Sequence, residues 1–166
     1  MLFNKKVITK EFYNVELINV ANWYEQSRQE NRNKFNALPF QVQLALRANL
    51  KEVNKITGSI MEMRNEFSDS LKKKYFVPEK TEEIEQNGEK AMKLKDEYIA
   101  EYQAEGADYD KKLQEVLKDK TEITLTVFNM DSIYETLPDD CELNMDDIDM
   151  LSFMDNGNDE NTTEGE

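Results

Sequence analysis

Between Val42 and Leu71 the apolar positions recur every three or four residues: Val42, Leu46, Leu50, Val53, Ile56 or Thr57, Ile60, Met63, Phe67 and Leu71. The span of 29 residues is covered in eight steps, or 3.6 per step, the period of one face of an α-helix. Lys51, Asn54, Lys55, Glu62, Asn65, Glu66 and Lys72 fall off that stripe. Leu38-Pro39 supplies the start, because proline lacks the N–H that a first turn leaves unpaired. Val77-Pro78 supplies the stop, because the residue before a proline avoids the helical region. The pattern predicts a helix from Pro39 to about Tyr75, roughly 50 Å long, with Gly58 costing it ~1 kcal/mol relative to alanine.

The flanks carry weaker patterns. Lys5–Lys10 reads as a short strand, and Phe12, Val15, Leu17, Ile18 and Trp23 predict a first helix over 11–28. Gln26–Asn36, with Arg28, Arg32 and Lys34 among asparagines, reads as a weakly basic connection. Thr81-Glu82-Glu83-Ile84 has the form of a helix start with acids in the first turn. Ile84, Ala91, Leu94, Tyr98 and Tyr102 extend it as a thin stripe, and Tyr109, Leu113, Val116 and Leu117 form a last helical piece ending near Lys120. The period then changes to two. Glu122–Val127 alternates strictly and reads as a strand. One strand cannot stand alone, so it is expected to pair with Val7–Thr9, homo-oligomeric pairing being the alternative. Asn144 caps a short helix running to about Met154, with Leu143, Ile148, Leu151 and Met154 facing inward.

These elements predict a mainly α (α+β) fold: a long antiparallel helical hairpin, a short N-terminal helix, a small two-stranded β element and a C-terminal helix. Residues 1–154 are expected to form one domain and 155–166 a disordered acidic tail.

Charge changes the picture most. The chain of 166 residues has a formal net charge of −14. Residues 1–75 hold 13 Lys/Arg against 8 Asp/Glu, and residues 76–120 hold 8 against 13, so these two stretches cancel. The last 46 residues hold 14 acids and no Lys or Arg. Such an end repels nucleic acid and anionic membrane and attracts a basic protein surface. Three readings of it stay open: a solubilising tail, an interface for a basic protein, or an imitation of the DNA phosphate array that blocks a nucleic-acid-binding protein. The candidate partner-binding acids are Asp139, Asp140, Glu142, Asp146, Asp147 and Asp149.

Chemistry is sparse. Histidine is absent, which removes His-based acid–base work, Ser-His-Asp and Cys-His nucleophiles and His-ligated metals. Cys141 is the only cysteine, so no internal disulfide can form, and its neighbours Asp140 and Glu142 disfavour a thiolate. Glu82-x-x-Glu85 and Glu105-x-x-Asp108 match the spacing of a Mg²⁺-dependent nucleotide pyrophosphohydrolase, in which carboxylates one helical turn apart hold the cation. In so acidic a region a solvated face is the simpler explanation. Asp155–Glu160 misses the glycine and ligand positions of a calcium loop. Lys72-Lys73-Lys74 suits a helix C-terminus, Trp23 and Tyr24 suit a core or a partner contact, and Met145, Met150 and Met154 suit adaptable packing. No apolar run is long enough to span a bilayer and no leader segment is evident. No catalytic residue, cofactor or metal is expected.

Leu38-Pro39, Leu46, Asn49-Leu50-Lys51, Arg64 and the helix ending Lys74-Tyr75 resemble the first half of a family of small proteins from tailed bacteriophages and prophages of Gram-positive hosts. Leu113–Leu117, Glu122–Val127 and Met145 to Met154 resemble its acidic segment, strand and closing helix, so the likeness covers roughly residues 35–155. Phe76-Val77-Pro78 stands where that family has a longer acidic-glycine loop. The family has no established biochemical role, so the resemblance carries over no active site. It implies a phage accessory protein in the host cytoplasm. The expected activity is non-enzymatic protein–protein binding, in virion assembly first. The expected partner is a phage or host protein with a basic surface, or a second copy of the chain, and not nucleic acid directly or a membrane.

Overall fold

The computed structural model describes residues 2–157. It is mainly helical, with five α-helices and two small two-stranded antiparallel sheets among the described residues. The order is β1 (Lys6–Tyr13), α1 (Asn14–Glu30), α2 (Phe40–Tyr75), β2 (Thr81–Gln86), β3 (Glu89–Leu94), α3 (Asp96–Lys118), β4 (Lys120–Val127), α4 (Met130–Tyr134) and α5 (Met145–Leu151). None of these helices is long and apolar enough to cross a membrane. The chain divides into two compact units, residues 2–57 with 120–157 and residues 58–119, where the sequence suggested one domain over 1–154. Residues 158–166, most of the expected acidic tail, lie outside the described residues.

The first unit is built on the pairing of β1 with β4, in register from Lys6↔Val127 to Tyr13↔Lys120, so Glu122–Val127 pairs with the segment around Val7–Thr9 as expected. Alternation in β4 turns Ile123, Leu125 and Val127 inward, where they meet Leu17 and Val20 of α1 and Val42, Leu46, Leu50 and Val53 of α2. Buried Asn49 closes the free edge of β4: its Nδ2 donates to the Thr126 carbonyl at 2.8 Å and its Oδ1 accepts from the Thr126 N–H at 2.9 Å. Helix α1 begins at Asn14, later than the predicted 11, because β1 runs on to Tyr13. Glu16 accepts from the Tyr13 N–H, and Thr121 donates to Asn14 at 2.6 Å, which ties the start of α1 to the start of β4. Leu151, Phe153 and Met154 close the core from the other end of the sequence. Asp155 and Asn156, expected in the disordered tail, are bonded instead: Asp155 accepts from the Met130 N–H, and the Asn156 N–H donates to the Phe128 carbonyl.

The second unit departs more from expectation. Residues 81–94 are a β-hairpin, not the start of a helix. Thr81↔Leu94 and Ile84↔Ala91 face each other, and Asn87 (φ 53°) and Gly88 (φ 81°) make the turn. Two residues at positive φ are what a two-residue turn with the right twist requires, and Asn-Gly is its preferred pair. The connection after α2 is therefore much longer than the expected proline turn. The third helix and the last helical piece are one helix, α3, with Gly106 in its interior. Phe67 stacks on Tyr109 with ring centroids 3.7 Å apart, and Tyr75 packs edge-on to Tyr102 at 5.4 Å. Glu105 accepts from the Tyr75 hydroxyl at 2.8 Å and from Lys74. The Lys74 bond, then the Tyr75 bond, hold the Glu105 carboxyl below the usual range; burial first, then Glu105, pushes the Tyr75 hydroxyl up.

Candidate functional site

The acidic segment is held in place by one of its own acids. Asn144 is the N-cap of α5: its side chain accepts from the Asp147 N–H at 3.0 Å, and Asp147 Oδ2 accepts from the Asn144 N–H at 2.9 Å. This reciprocal box satisfies two donors that a helix start leaves unpaired. The remaining capacity of the carboxylate points into the first unit. Asp147 Oδ1 accepts from Trp23 Nε1 at 2.9 Å, and Oδ2 lies 2.8 Å from Lys34 Nζ. Asp147 is 1% exposed and Lys34 7%. Trp23 in turn packs edge-on to Phe35 at 5.5 Å. Asp147 is thus an internal anchor and not one of the partner-facing acids expected from the sequence. A buried carboxylate needs a cation and hydrogen-bond donors, and Lys34, Trp23 and the α5 cap provide them.

The other five candidates, Asp139, Asp140, Glu142, Asp146 and Asp149, are exposed. They lie on the loop before α5 and on α5 itself, and the loop is tied to the end of α1 by Asn31, whose side-chain amide donates to Glu142. Met145 stands among these acids and is 69% exposed. Asp149 also faces Asp131 and Asp155 around a concavity of about 360 Å³ beside Tyr134. Burial, and after it the charges of Asp155, Asp131 and Asp149, push the Tyr134 hydroxyl up to about 12. Cys141 is half-buried in the same loop.

A second surface of the first unit has the opposite sign. Tyr24 and Arg28 near the end of α1, Arg32 and Asn36 after it, and Gln43, Arg47, Lys51 and Asn54 on α2 line a concavity of about 710 Å³. On α2 the spacing 43, 47, 51 puts one row of polar side chains along a single face. The sequence showed Arg28 and Arg32 only as a weakly basic connection and Lys51 as a solvated position. That the two groups face one space needed the fold.

The carboxylates proposed for a nucleotide hydrolase do not form the expected arrangement. Glu82 and Glu85 lie on strand β2, where positions three apart point to opposite faces, and they sit opposite Lys93 and Lys90. Glu105 is bound to Lys74 and Tyr75, and Asp108 pairs with Lys112 at 3.3 Å. Among the described residues no three Asp, Glu or Cys side chains gather as a metal site. No family model, curated protein or solved structure matches this chain.

Proposed function

We propose that this protein works by binding another protein through the acidic face of its first unit, with no catalytic step, as a phage accessory factor in virion assembly. The observation that carries this reading is the anchoring of the face. Asp147, Lys34 and Trp23 hold α5 with its exposed Asp146 and Asp149, and Asn31 holds Glu142 on the loop before it, which also carries Asp139 and Asp140. Exposed Met145 among them adds an apolar contact, and methionine is enriched at protein interfaces. The partner is then a protein with a basic surface and a shallow apolar recess. In the second unit, Phe67 and Tyr75 of α2 pack on Tyr109 and Tyr102 of α3, and a long helical hairpin there would suit a structural role.

One observation favours a second reading. Mimicry of DNA requires acids fixed in space, and the anchored face meets that condition, so an inhibitor of a host nucleic-acid-binding protein is the alternative. The test is a pull-down with the tagged protein from infected host lysate at low and high salt, beside the variant Asp139→Ser/Asp140→Ser/Asp146→Ser/Asp149→Ser. Phage structural proteins retained at high salt and lost with the variant are the expected result. A basic host nuclease, polymerase or repressor that washes off with salt would replace assembly with the inhibitor. Identical recovery with the variant would overturn both.

A further inference from the structure

The chain carries 21 Lys/Arg, of which only four are arginine: Arg28, Arg32, Arg47 and Arg64. Three of the four line the 710 Å³ concavity of the first unit, with Lys51 as a fourth cation. At the overall ratio of lysine to arginine, four cations drawn from this chain would include about one arginine. Arginine presents a planar fork of donors that matches phosphate oxygens two at a time, which an ammonium cannot do.

The fold gives these cations no acid to pair with, and only Arg28 has a partner of another kind, its guanidinium lying 5.8 Å from the Tyr24 ring centroid. Among the described residues none of the four is in an ion pair, and no carboxylate lines the concavity. Of the acids close in sequence, Glu52 pairs with Lys55, and Glu30 and Glu25 accept from the amides of Gln26 and Gln29. Arg47 and Lys51 stand one turn apart on α2, a like-charge spacing that weakens a helix slightly. Gathering unpaired positive charge in a concavity is unfavourable in the free protein and becomes favourable when an anion enters.

We propose that this concavity binds a small polyphosphorylated ligand of the nucleoside di- or triphosphate class, a function separate from the acidic face. The volume lies within the range of small-molecule sites. The amide of Asn54 adds a neutral donor beside the charged ones, while Gln43 donates to the Leu38 carbonyl at 2.7 Å and so fixes the wall of the concavity. Charge decides between a small ligand and a nucleic-acid strand, which offers the same phosphate chemistry. A long strand must run past a protein of net charge −14, whereas a small ligand feels chiefly the cations within a Debye length of about 8 Å. The ring of Tyr24 already contacts Phe35 and the Arg28 guanidinium, so it offers poor stacking for successive bases.

The experiment is isothermal titration calorimetry of the full chain with inorganic tripolyphosphate, with ATP and with a 12-nucleotide single-stranded DNA. It is repeated for Arg47→Gln, Lys51→Gln and Arg64→Gln, with circular dichroism as the check on folding. All three substituted side chains are exposed, so the fold should survive. Expected are one-to-one binding of tripolyphosphate in competition with ATP, about tenfold weaker binding for Arg47→Gln and for Lys51→Gln, and no change for Arg64→Gln. No saturable binding of either phosphate probe, or equal loss with Arg64→Gln, would overturn the proposal. Tighter binding of the oligonucleotide than of ATP would replace the small ligand with a strand.

Discussion

The anchor at Asp147 gives the sharpest test of how this fold is held. Its carboxylate takes three donors, Lys34 Nζ at 2.8 Å, Trp23 Nε1 at 2.9 Å and the Asn144 N–H at 2.9 Å, and its side chain is 2% exposed against 9% for that of Lys34. Asp147→Ala removes all three at once and leaves the Lys34 ammonium buried without its counter-charge. Breaking a buried pair from one side costs about 3–5 kcal/mol, a large part of the 5–15 kcal/mol that typically holds a domain. At about 2–4 °C per kcal/mol for a chain of this size, the melting temperature should fall by roughly 6–20 °C. Lys34→Met should cost less, because Asp147 keeps two N–H donors. The double variant should be better than the sum of the singles by about 0.5–3 kcal/mol. Trp23 is the only tryptophan and touches the carboxylate, so its fluorescence during urea unfolding reports on this site directly. A loss below about 1 kcal/mol for Asp147→Ala by that signal, or a larger loss for Lys34→Met, would refute the reasoning. The same variant should weaken partner capture although Asp147 is itself buried, because α5 loses the contact that positions its exposed acids.

Other perturbations separate further parts of the structure. Asn49→Ala strips both bonds from Thr126 and leaves an N–H and a carbonyl of β4 unpaired beside the core, a loss of about 2–4 kcal/mol measurable as a shift in urea midpoint. The Tyr109 hydroxyl is buried with no hydrogen-bond partner among the described residues, so Tyr109→Phe should keep the stack on Phe67 and stabilise the second unit by about 1 kcal/mol in thermal melts. Gly58 and Gly106 lie in helices, and no neighbouring atom comes within 4 Å of where an alanine methyl would stand, so alanine at either should add about 0.5–1 kcal/mol. Gly88→Ala, at φ 81°, should instead subtract about 1 kcal/mol or more, and urea unfolding of the three variants gives the signs. Tyr134 is held neutral in the fold, with its hydroxyl raised to about 12 from an ordinary 10.0. Its contribution is therefore complete below pH 10 and lost as pH rises toward 12, so Tyr134→Phe should flatten the alkaline fall in stability over that window, and absorbance at the phenolate band should show one fewer late-titrating tyrosine.

What could be read from the chain and what could not divides along a physical line. Helix α2 was legible because one face stays apolar for about eight turns, and β4 because Ile123, Leu125 and Val127 alternate with polar residues against a core. The cap at Asn144 was legible because it acts within three residues. The β2–β3 hairpin was not, because it buries so little: only Thr81 and Leu94 at its base are buried, so no period of two emerges, and Thr81-Glu82-Glu83 satisfies the rules for a helix start equally well. Asn87-Gly88 was the one local sign of the turn. Charged residues defeat local reading for a different reason. Asp147 looks like Asp146 and Asp149 until Trp23, 124 residues away, is placed against it. Arg47 and Lys51 look like a solvated helix face until Arg28 and Arg32 are placed across the same space. The sign of a side chain is written in the sequence, but whether that charge is an anchor, a partner contact or an idle solvated group depends on what stands opposite. In this protein the opposite surfaces separate the three cases: a buried acid met by a lysine, exposed acids met by no Lys or Arg among the described residues, and a set of arginines that converge with no acid to meet them.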